Sequence, residues 1–390
     1  MIEFSPYSYE FHEDPYPIYA RLRAEAPVYH DARDGFWALS RHEDVLAAFK
    51  APKVFSNIRG VSIDPSARKG GARAGMSFLA MDPPEHTRFR ALVSRGFTPR
   101  RVAGLEPRVR EIAIQHLDPL AGSGGFDVIA DFAGKLPMDV ISEMLGVPEA
   151  DRAQLRIHAD LLVHRKEGSS DLPKEGVAAF LAIRSYFRDH LAGLRERPGD
   201  DLLSALLGLD EDGFKPSDDD LLSFCNLMIV AGNETTTKLL GNALYWLWKN
   251  PAQRALVAQE PARIPAWVEE TLRYDNSTQL LMRTTLEDVT VHGTTIPAGE
   301  NVLLLVGSAN RDADVYPSPD AYDVGRDTSA MLSFGRGTHF CMGASLARLE
   351  ARVAFEEWWK RFPRYEVKPE GIQRVHSANV RGFAALPVEV

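Results

Sequence analysis

One stretch, Asp218 to Lys249, sets the scale of anything this chain can fold into. Ser217 is a good N-cap, Asp218, Asp219 and Asp220 stand at the positive end of a helix dipole, and Asn250-Pro251 is a stop. The 32 residues between these signals would span ~48 Å at about 1.5 Å per residue. That is long enough to cross a whole domain. The first half, Leu221 to Val230, is apolar nearly all round, as a buried helix requires. The middle breaks the pattern with Ala231-Gly232-Asn233-Glu234-Thr235-Thr236-Thr237. Glycine costs ~1 kcal/mol relative to alanine in a helix interior. Threonines bond back to helix carbonyls and bend the axis. A carboxylate there is costly unless paired or hydrated. Two readings stay open. One is a helix break with Glu234 capping the second piece; the other is an acid–hydroxyl pair in a polar notch, beside chemistry that needs protons.

Helical periodicity runs from Asp82 to Tyr274, and a further helix is expected from about Ala344 to Arg361. Strand signals are short: Val28-Tyr29, Phe36 to Leu39, Val289 to Val291, Val302 to Val306, and a piece near Phe383 to Val388. The expectation is a mainly α protein with small β-sheets, without the strand–helix alternation of a Rossmann fold. Gly122-Ser-Gly-Gly125 follows no convincing strand and reads as a loop, not a phosphate cradle. Ile58 to Gly75, rich in Gly, Arg and Ser, reads as a flexible stretch. Asp82-Pro83-Pro84-Glu85 reads as a helix start, with Asp82 as cap and Pro83 in the first position.

The chain can bury a sizeable core, since 45% of its 390 residues are hydrophobic. Its net charge of −9 excludes a general nucleic-acid binder. No apolar run reaches the ~18 residues of a membrane helix, and Met1-Ile2-Glu3-Phe4-Ser5-Pro6 is no secretory signal. The expected protein is a cytoplasmic enzyme without a membrane anchor, or a large binding protein. Two cysteines, Cys225 and Cys341, rule out a disulfide framework and a four-thiolate metal site.

The two cysteines differ in setting. Cys225 lies inside the apolar helix, as a buried structural thiol would. Cys341 lies in Phe334-Gly335-Arg336-Gly337-Thr338-His339-Phe340-Cys341-Met342-Gly343, a permissive loop that meets a helix N-terminus. Backbone N–H groups and the dipole favour a thiolate there, and small residues let a large planar ligand approach the backbone. Zinc is disfavoured, because His339 and Cys341 supply only two ligands. A nucleophilic cysteine with His339 as base, in a hydrolase or acyltransferase, is the rival; nothing in the sequence supplies its oxyanion hole or third member.

Phe334-Gly335-x-Gly337-x-His339-x-Cys341-x-Gly343 resembles the cysteine-ligand loop of the haem-thiolate monooxygenases, the cytochrome P-450 family. Ala231-Gly232-x-Glu234-Thr235-Thr236 resembles that family's oxygen-activation segment, and Glu270-x-x-Arg273 with Arg326 its structural triad. The length is similar to that of the soluble bacterial type. The resemblance implies a single domain over 1–390 around a buried haem b, with helical portions 82–274 and 343–362. The β-rich portion would lie near 28–40, 289–306 and 378–390. It implies Cys341 as the axial metal ligand, pushing electron density toward O–O cleavage. It implies Thr235 ordering water beside dioxygen, Glu234 relaying protons, and Ala231 and Gly232 leaving room for dioxygen, the co-substrate. His86, Arg90, Arg283 and His339 would hold the propionates, with Phe334 and Gly343 flanking the cofactor. Tyr322-Asp323-Val324 departs from the usual Phe-Asp-Pro, and Met331 stands where histidine is frequent.

The implied reaction is insertion of one oxygen atom from dioxygen into a small organic substrate, most often as C–H hydroxylation. A peroxide-driven peroxygenase and a non-catalytic haem sensor are alternatives within the haem class. No flavin or nicotinamide domain is visible, so electrons would come from an external ferredoxin and its reductase. Arg100, Arg101, Arg336, Arg348 and Arg352 are expected to form its basic docking patch. By family position the substrate pocket would draw on Phe78, Leu79, Leu162, Leu227, Val230, Gln279, Leu280, Asn379 and Val380. The amides of Gln279 and Asn379 imply a substrate with an apolar body and a polar group.

Overall fold

The computed structural model describes residues 2–65, 71–209 and 215–390. Positions 66–70 of the Gly/Arg/Ser stretch lie outside the described residues; just after them, Ala72–Met76 is a short helix.

The long helix spans Asp218–Lys249 without interruption, so the reading with a break at Glu234 is overturned. Its start is over-determined. Ser217 accepts from the Asp220 N–H while the Asp220 carboxylate accepts from the Ser217 N–H, a reciprocal capping box. Each acid of the first turn also holds an arginine: Asp218 with Arg195, Asp219 with Arg184 at 2.8 Å, and Asp220 with Arg73 at 2.9 Å. The polar middle stays helical because two of its hydroxyls bond to carbonyls. Thr235 Oγ1 donates to the Ala231 carbonyl (2.9 Å) and Thr237 Oγ1 to the Ala133 carbonyl (3.1 Å). Gly232 admits a neighbouring helix, since a Cβ there would lie 3.1 Å from Ile141 Cγ1. Its smallness serves packing against Leu136–Met144.

Other helices wrap this axis: Glu149–Val163, Lys174–Glu196, Ile264–Tyr274 and Ala344–Arg361 all pack on it or on each other. They share one large core that includes Leu221, Phe224, Leu240, Trp267, Phe355 and Trp358. Leu346, Leu349, Val353 and Trp358 form the buried stripe expected for the last helix.

The β portion is a five-stranded sheet, in the order Val28–Asp31, Phe36–Leu39, Asn301–Leu304, Leu281–Thr285, Phe55–Ser56. Only the Phe36–Leu39 and Asn301–Leu304 pair is parallel. Val302 to Val306 is shorter as a strand than expected, because Val306 opens the helix Val306–Ala309. Phe383 to Val388 is two strands, Phe383–Ala385 and Pro387–Glu389, on different sheets. Leu386 turns between them, giving its N–H to the Asp127 carboxylate (3.1 Å) and taking the Val128 N–H. Leu281–Thr285 was not expected, because Arg283 interrupts its apolar pattern. Among the described residues no helix is long and apolar enough to cross a membrane.

Candidate active site

Cys341 sits where the glycine loop meets the Ala344–Arg361 helix. Its N–H donates to the Phe334 carbonyl at 2.8 Å, closing the loop. Gly335 and Gly337 have φ of +66° and +71°, and a Cβ on Gly337 would lie 2.6 Å from the Phe49 carbonyl oxygen. Only glycine meets both demands. The backbone N–H groups of Gly343 and Ala344 point at the Cys341 sulfur. The side chain is exposed, although most of its surroundings are protein, and that burial raises the free thiol above its ordinary value. Metal coordination would deprotonate such a thiol outright.

The rival cysteine nucleophile lacks its base. Both ring nitrogens of His339 are buried without a hydrogen-bond partner, so none joins His339 to Cys341. His339 instead lies against His86, ring centres 4.0 Å apart. The hydrolase and acyltransferase readings fall with that geometry.

His86, Arg90, Arg283 and His339 form a nitrogen-rich group, two arginines and two imidazoles, that no carboxylate bonds directly. Both nitrogens of His86 are also unpartnered. Arg90 donates to the Phe340 carbonyl at 2.5 Å and Arg283 to its own Met282 carbonyl at 2.7 Å. Burial, then Arg90, pushes His86 down to about 4; burial, then His86, Arg283 and Arg90, pushes His339 down to about 2. Burial also lowers Arg90, and brings Arg283 down to about 10. Among the described residues no ion pair joins these four side chains to a carboxylate, although Asp82 favours the charged forms of His86 and Arg283 from nearby, so the cluster still calls for acidic groups. The propionates of a haem whose iron meets Cys341 supply them, so the residues present fit that cofactor.

Asp82 does not cap the next helix, as the sequence led us to expect. Its carboxylate accepts from Ser56 Oγ and from the Asn57 N–H (2.9 Å), and the helix begins at Glu85. His86 and Arg90 still lie one turn apart on it.

Ala231 is exposed and Thr235 half-buried in the middle of the long helix, where their neighbours are mostly buried. Ser277 Oγ donates to the Thr235 carbonyl (2.7 Å), tying this turn to the segment that leads into Leu281–Thr285. Glu234 points elsewhere. It is 1% exposed and lies 3.1 Å from Lys238 Nζ, while Asn233 Nδ2 donates to it at 3.0 Å. The acid and the hydroxyl are therefore neighbours in sequence on different faces. Lys238 was missed as a site residue, although an acid followed by lysine four positions on was the available signal.

Glu270 and Arg273 are joined by two 2.7 Å hydrogen bonds, and Arg326 Nε stands 3.6 Å from Glu270. The Asp323 N–H also donates to Glu270 (2.9 Å), so the departure at Tyr322-Asp323-Val324 leaves this network closed.

The pocket set divides. Phe78 and Leu227 are buried in the large helical core, Leu79 and Leu162 pack against it half-buried, and Val230 is half-buried. Leu280 is instead fully buried in a separate core with Phe4, Phe36 and Leu303. Gln279 is turned inward, its NH2 donating to the Asn276 carbonyl (2.8 Å) and Tyr16 Oη (3.4 Å). Neither serves the cleft, because their strand neighbours and Tyr16 claim them. Asn379 is half-buried, with Val380 buried beside it and paired to Thr278.

The arginine patch is largely neutralised. Arg348 holds Glu269 at 2.6 Å, Arg352 holds Glu106 at 2.5 Å, and Arg336 donates to the Ser329 carbonyl at 2.9 Å. Arg100 and Arg101 are exposed.

A thiolate loop, a cradle for two acid groups and a polar turn in a domain-crossing helix together define a haem-thiolate oxygenase. The chain belongs to the cytochrome P450 family, as a monooxygenase of the bacterial type that binds haem b and uses dioxygen; the family model, Cytochrome P450, matches residues 177–377. It is 54% identical over 386 residues to a Mycobacterium tuberculosis (strain ATCC 25618 / H37Rv) protein named cytochrome P450 123, covering 99% of this chain and 96% of that one. It is 41% identical to the Vitamin D(3) 25-hydroxylase of Pseudonocardia autotrophica, covering 98% and 95%. Among solved structures, CYP109E1 from Bacillus megaterium in complex with testosterone has a TM-score of 0.89 at 32% identity, covering 97% and 98%.

Proposed function

We propose that this protein, as one haem-thiolate domain over residues 1–390 working in the cytoplasm, hydroxylates a C–H bond of a small, mainly apolar substrate. The observation that carries this reading is Cys341 at the glycine loop, in a site where all four ring nitrogens of His86 and His339 are buried without a partner. When bound, the haem supplies the binding and reductive activation of dioxygen. The chain does the rest. Cys341 would hold the iron, and His86, Arg90, Arg283 and His339 the propionates, with Phe334 and Gly343 flanking. Thr235 gives its proton to the Ala231 carbonyl, so its oxygen is left to accept from a water or substrate hydroxyl in the cleft. Ala231 keeps that wall open. Glu234, held by Lys238 and Asn233, would relay protons toward the cleft. Glu270, Arg273 and Arg326 clamp the segment behind the loop.

The substrate reading is a fused-ring or sterol-like body with one polar group, met by Phe78, Leu79, Leu162, Leu227, Val230 and Val380, with Asn379 for the polar contact. The vitamin D3 hydroxylase and the testosterone-bound neighbour support it. Electrons would come from a ferredoxin-type donor at the face carrying Arg100 and Arg101. There a groove of about 370 Å³ has Pro99, Val102, Pro265 and Leu349 in its floor, and the Arg348–Glu269 and Arg352–Glu106 pairs beside it.

The absorption spectrum of the reduced, carbon-monoxide-bound protein tests the core of this reading. A red-shifted thiolate Soret band is expected, and a protein that stays colourless after haem-supplemented expression would falsify it. Sterols should shift the haem spin state; a response to pure hydrocarbons alone defeats the polar-contact reading.

A further inference from the structure

The long helix is stitched along one face to the segment that follows the helix Ile264–Tyr274. Trp246 Nε1 donates to the Asp275 carboxylate at 2.7 Å, and Asn242 Nδ2 to the Asp275 carbonyl at 2.8 Å. Ser277 Oγ donates to the Thr235 carbonyl at 2.7 Å. Positions 235, 242 and 246 recur at whole helical turns, so these bonds form a seam on one face. The two ends of the seam are built differently. At the far end Asp275, fully buried, also accepts from Tyr16 Oη at 2.6 Å and from Arg381 Nε at 2.7 Å. At the near end a single hydroxyl holds the turn where the helix opens, with Ala231 exposed and Thr235 half-buried. Ser277 is 6% exposed. Its own carbonyl accepts the Arg381 N–H at 2.7 Å, Thr278 pairs with Val380, and the Gln279 N–H donates to the Asn379 carbonyl at 2.8 Å. The segment that grips Thr235 is therefore laid directly against Asn379 and Val380. A helix carbonyl has two lone pairs, so Ser277 can bond that of Thr235 without breaking the helix ladder. The Thr235 side chain is already tied to the Ala231 carbonyl at 2.9 Å. Ser277 fixes the main chain of the same residue.

We propose that Ser277 is a positioning residue for the oxygenation. Its hydroxyl sets where the Thr235 turn stands relative to Asn379 and Val380, and so where the Thr235 oxygen meets whatever is bound in the cleft. The proposal rests on the reading of Thr235 as the hydroxyl beside bound dioxygen. Ser277 transfers no proton and no electron. It donates to main chain and acts through Thr235. A displacement of about 1 Å in a positioned group can cost about 100-fold in rate, so one bond at this end of the seam is enough to matter.

The test uses the haem-loaded protein, reduced and bound to carbon monoxide, and reads the C–O stretch in the infrared. That frequency follows the dipoles beside the bound gas, not the stability of the fold. Thr235→Ala should shift it, and Ser277→Ala should shift it too. Ser277→Thr, which keeps the hydroxyl, should restore the parent frequency. In a Thr235→Ala background Ser277→Ala should add nothing, because the two residues act as one unit. Trp246→Phe cuts the far end of the seam; it should lower the urea midpoint and leave the frequency alone. A parent frequency in Ser277→Ala overturns the proposal. A further shift in the Thr235→Ala background overturns it as well, since Ser277 would then touch the ligand's surroundings itself. So does a shift in Trp246→Phe as large as that in Ser277→Ala, which would make the whole seam scaffold. If Ser277→Ala does not accumulate as folded protein, Ser277→Cys decides. Its thiol is a weak donor and should give the same shift; the parent frequency is equally fatal. The thiolate Soret band separates the levels. Its absence from the wild type defeats the haem-thiolate reading itself. A normal band with no shift in Thr235→Ala defeats the role of Thr235. A shift in Thr235→Ala with none in Ser277→Ala defeats only the role of Ser277.

Discussion

Two glutamates in this molecule have a basic residue one helical turn further on, and both pairs are almost completely buried. Glu270–Arg273 has side chains 1% and 0% exposed, and Glu234–Lys238 has 1% and 3%. Their surroundings separate them. Arg273 meets Glu270 with two 2.7 Å bonds and gives its remaining donors to the carbonyls of Asn310, Pro319 and Ala321. Nothing in that set has a reason to move. Lys238 approaches Glu234 at 3.1 Å, and Asp160 is a second acid nearby. The planar fork of arginine makes a clamp, whereas a lysine meets its carboxylate as a single point charge and leaves one oxygen without an aligned bond. Burial and spacing are nearly the same in the two pairs. The number of satisfied donors is what separates them.

The contrast can be broken most forcefully at the clamp. Arg273→Ala should cost about 3–5 kcal/mol, because it leaves a buried carboxylate with only the more distant Arg326. Urea unfolding and haem retention would show it, and a variant as stable as the parent removes the distinction. Glu234→Gln should do the opposite: fold and bind haem normally, yet lose about 10-fold or more of product per dioxygen consumed. A large fall in unfolding free energy with coupling intact would make it a second clamp.

The pH dependence of stability is a finer probe. Burial, then Glu234, raises Asp160 to about 7 in the fold, above an ordinary aspartate, so between about pH 4 and 7 the folded chain holds a proton that the unfolded chain has lost. Its contribution is present at low pH and fades as pH rises through about 7. Asp160→Asn should flatten that slope by about 1 kcal/mol, with water at its outer edge holding the effect down. The smallest effect belongs to Arg348. It bonds Glu269 in the same forked way at 2.6 and 2.9 Å, but at 37% and 26% side-chain exposure. Arg348→Ala should change stability by no more than about 0.5 kcal/mol. A cost like that of Arg273→Ala would show that fork geometry, not burial, makes the clamp.

Much of the architecture was legible because it is periodic. The capping signals at Ser217 and Asn250 bounded the long helix, and Leu346, Leu349, Val353 and Trp358 marked the buried face of the last one. The strand Leu281–Thr285 was hidden by Arg283, since a charged residue inside a strand is explained only by what it faces. Gly232 was legible as a required small residue, but the helix that requires it is far away in sequence. Gln279 and Asn379 looked alike as polar groups in an apolar pocket. Tyr16 and Asn276 claim the first, and no sequence pattern announces that.

The sequence by itself determined the long helix with its polar turn, the glycine loop that presents Cys341, and the family to which they belong. These depend on residues near one another in the chain, where spacing and backbone preference suffice. Tertiary structure alone decided which side chains meet across elements. It set His339 against His86 and spent Arg348 and Arg352 on Glu269 and Glu106. The physical reason is that pairing depends on distances of about 3 Å, and only packing sets those between residues many positions apart.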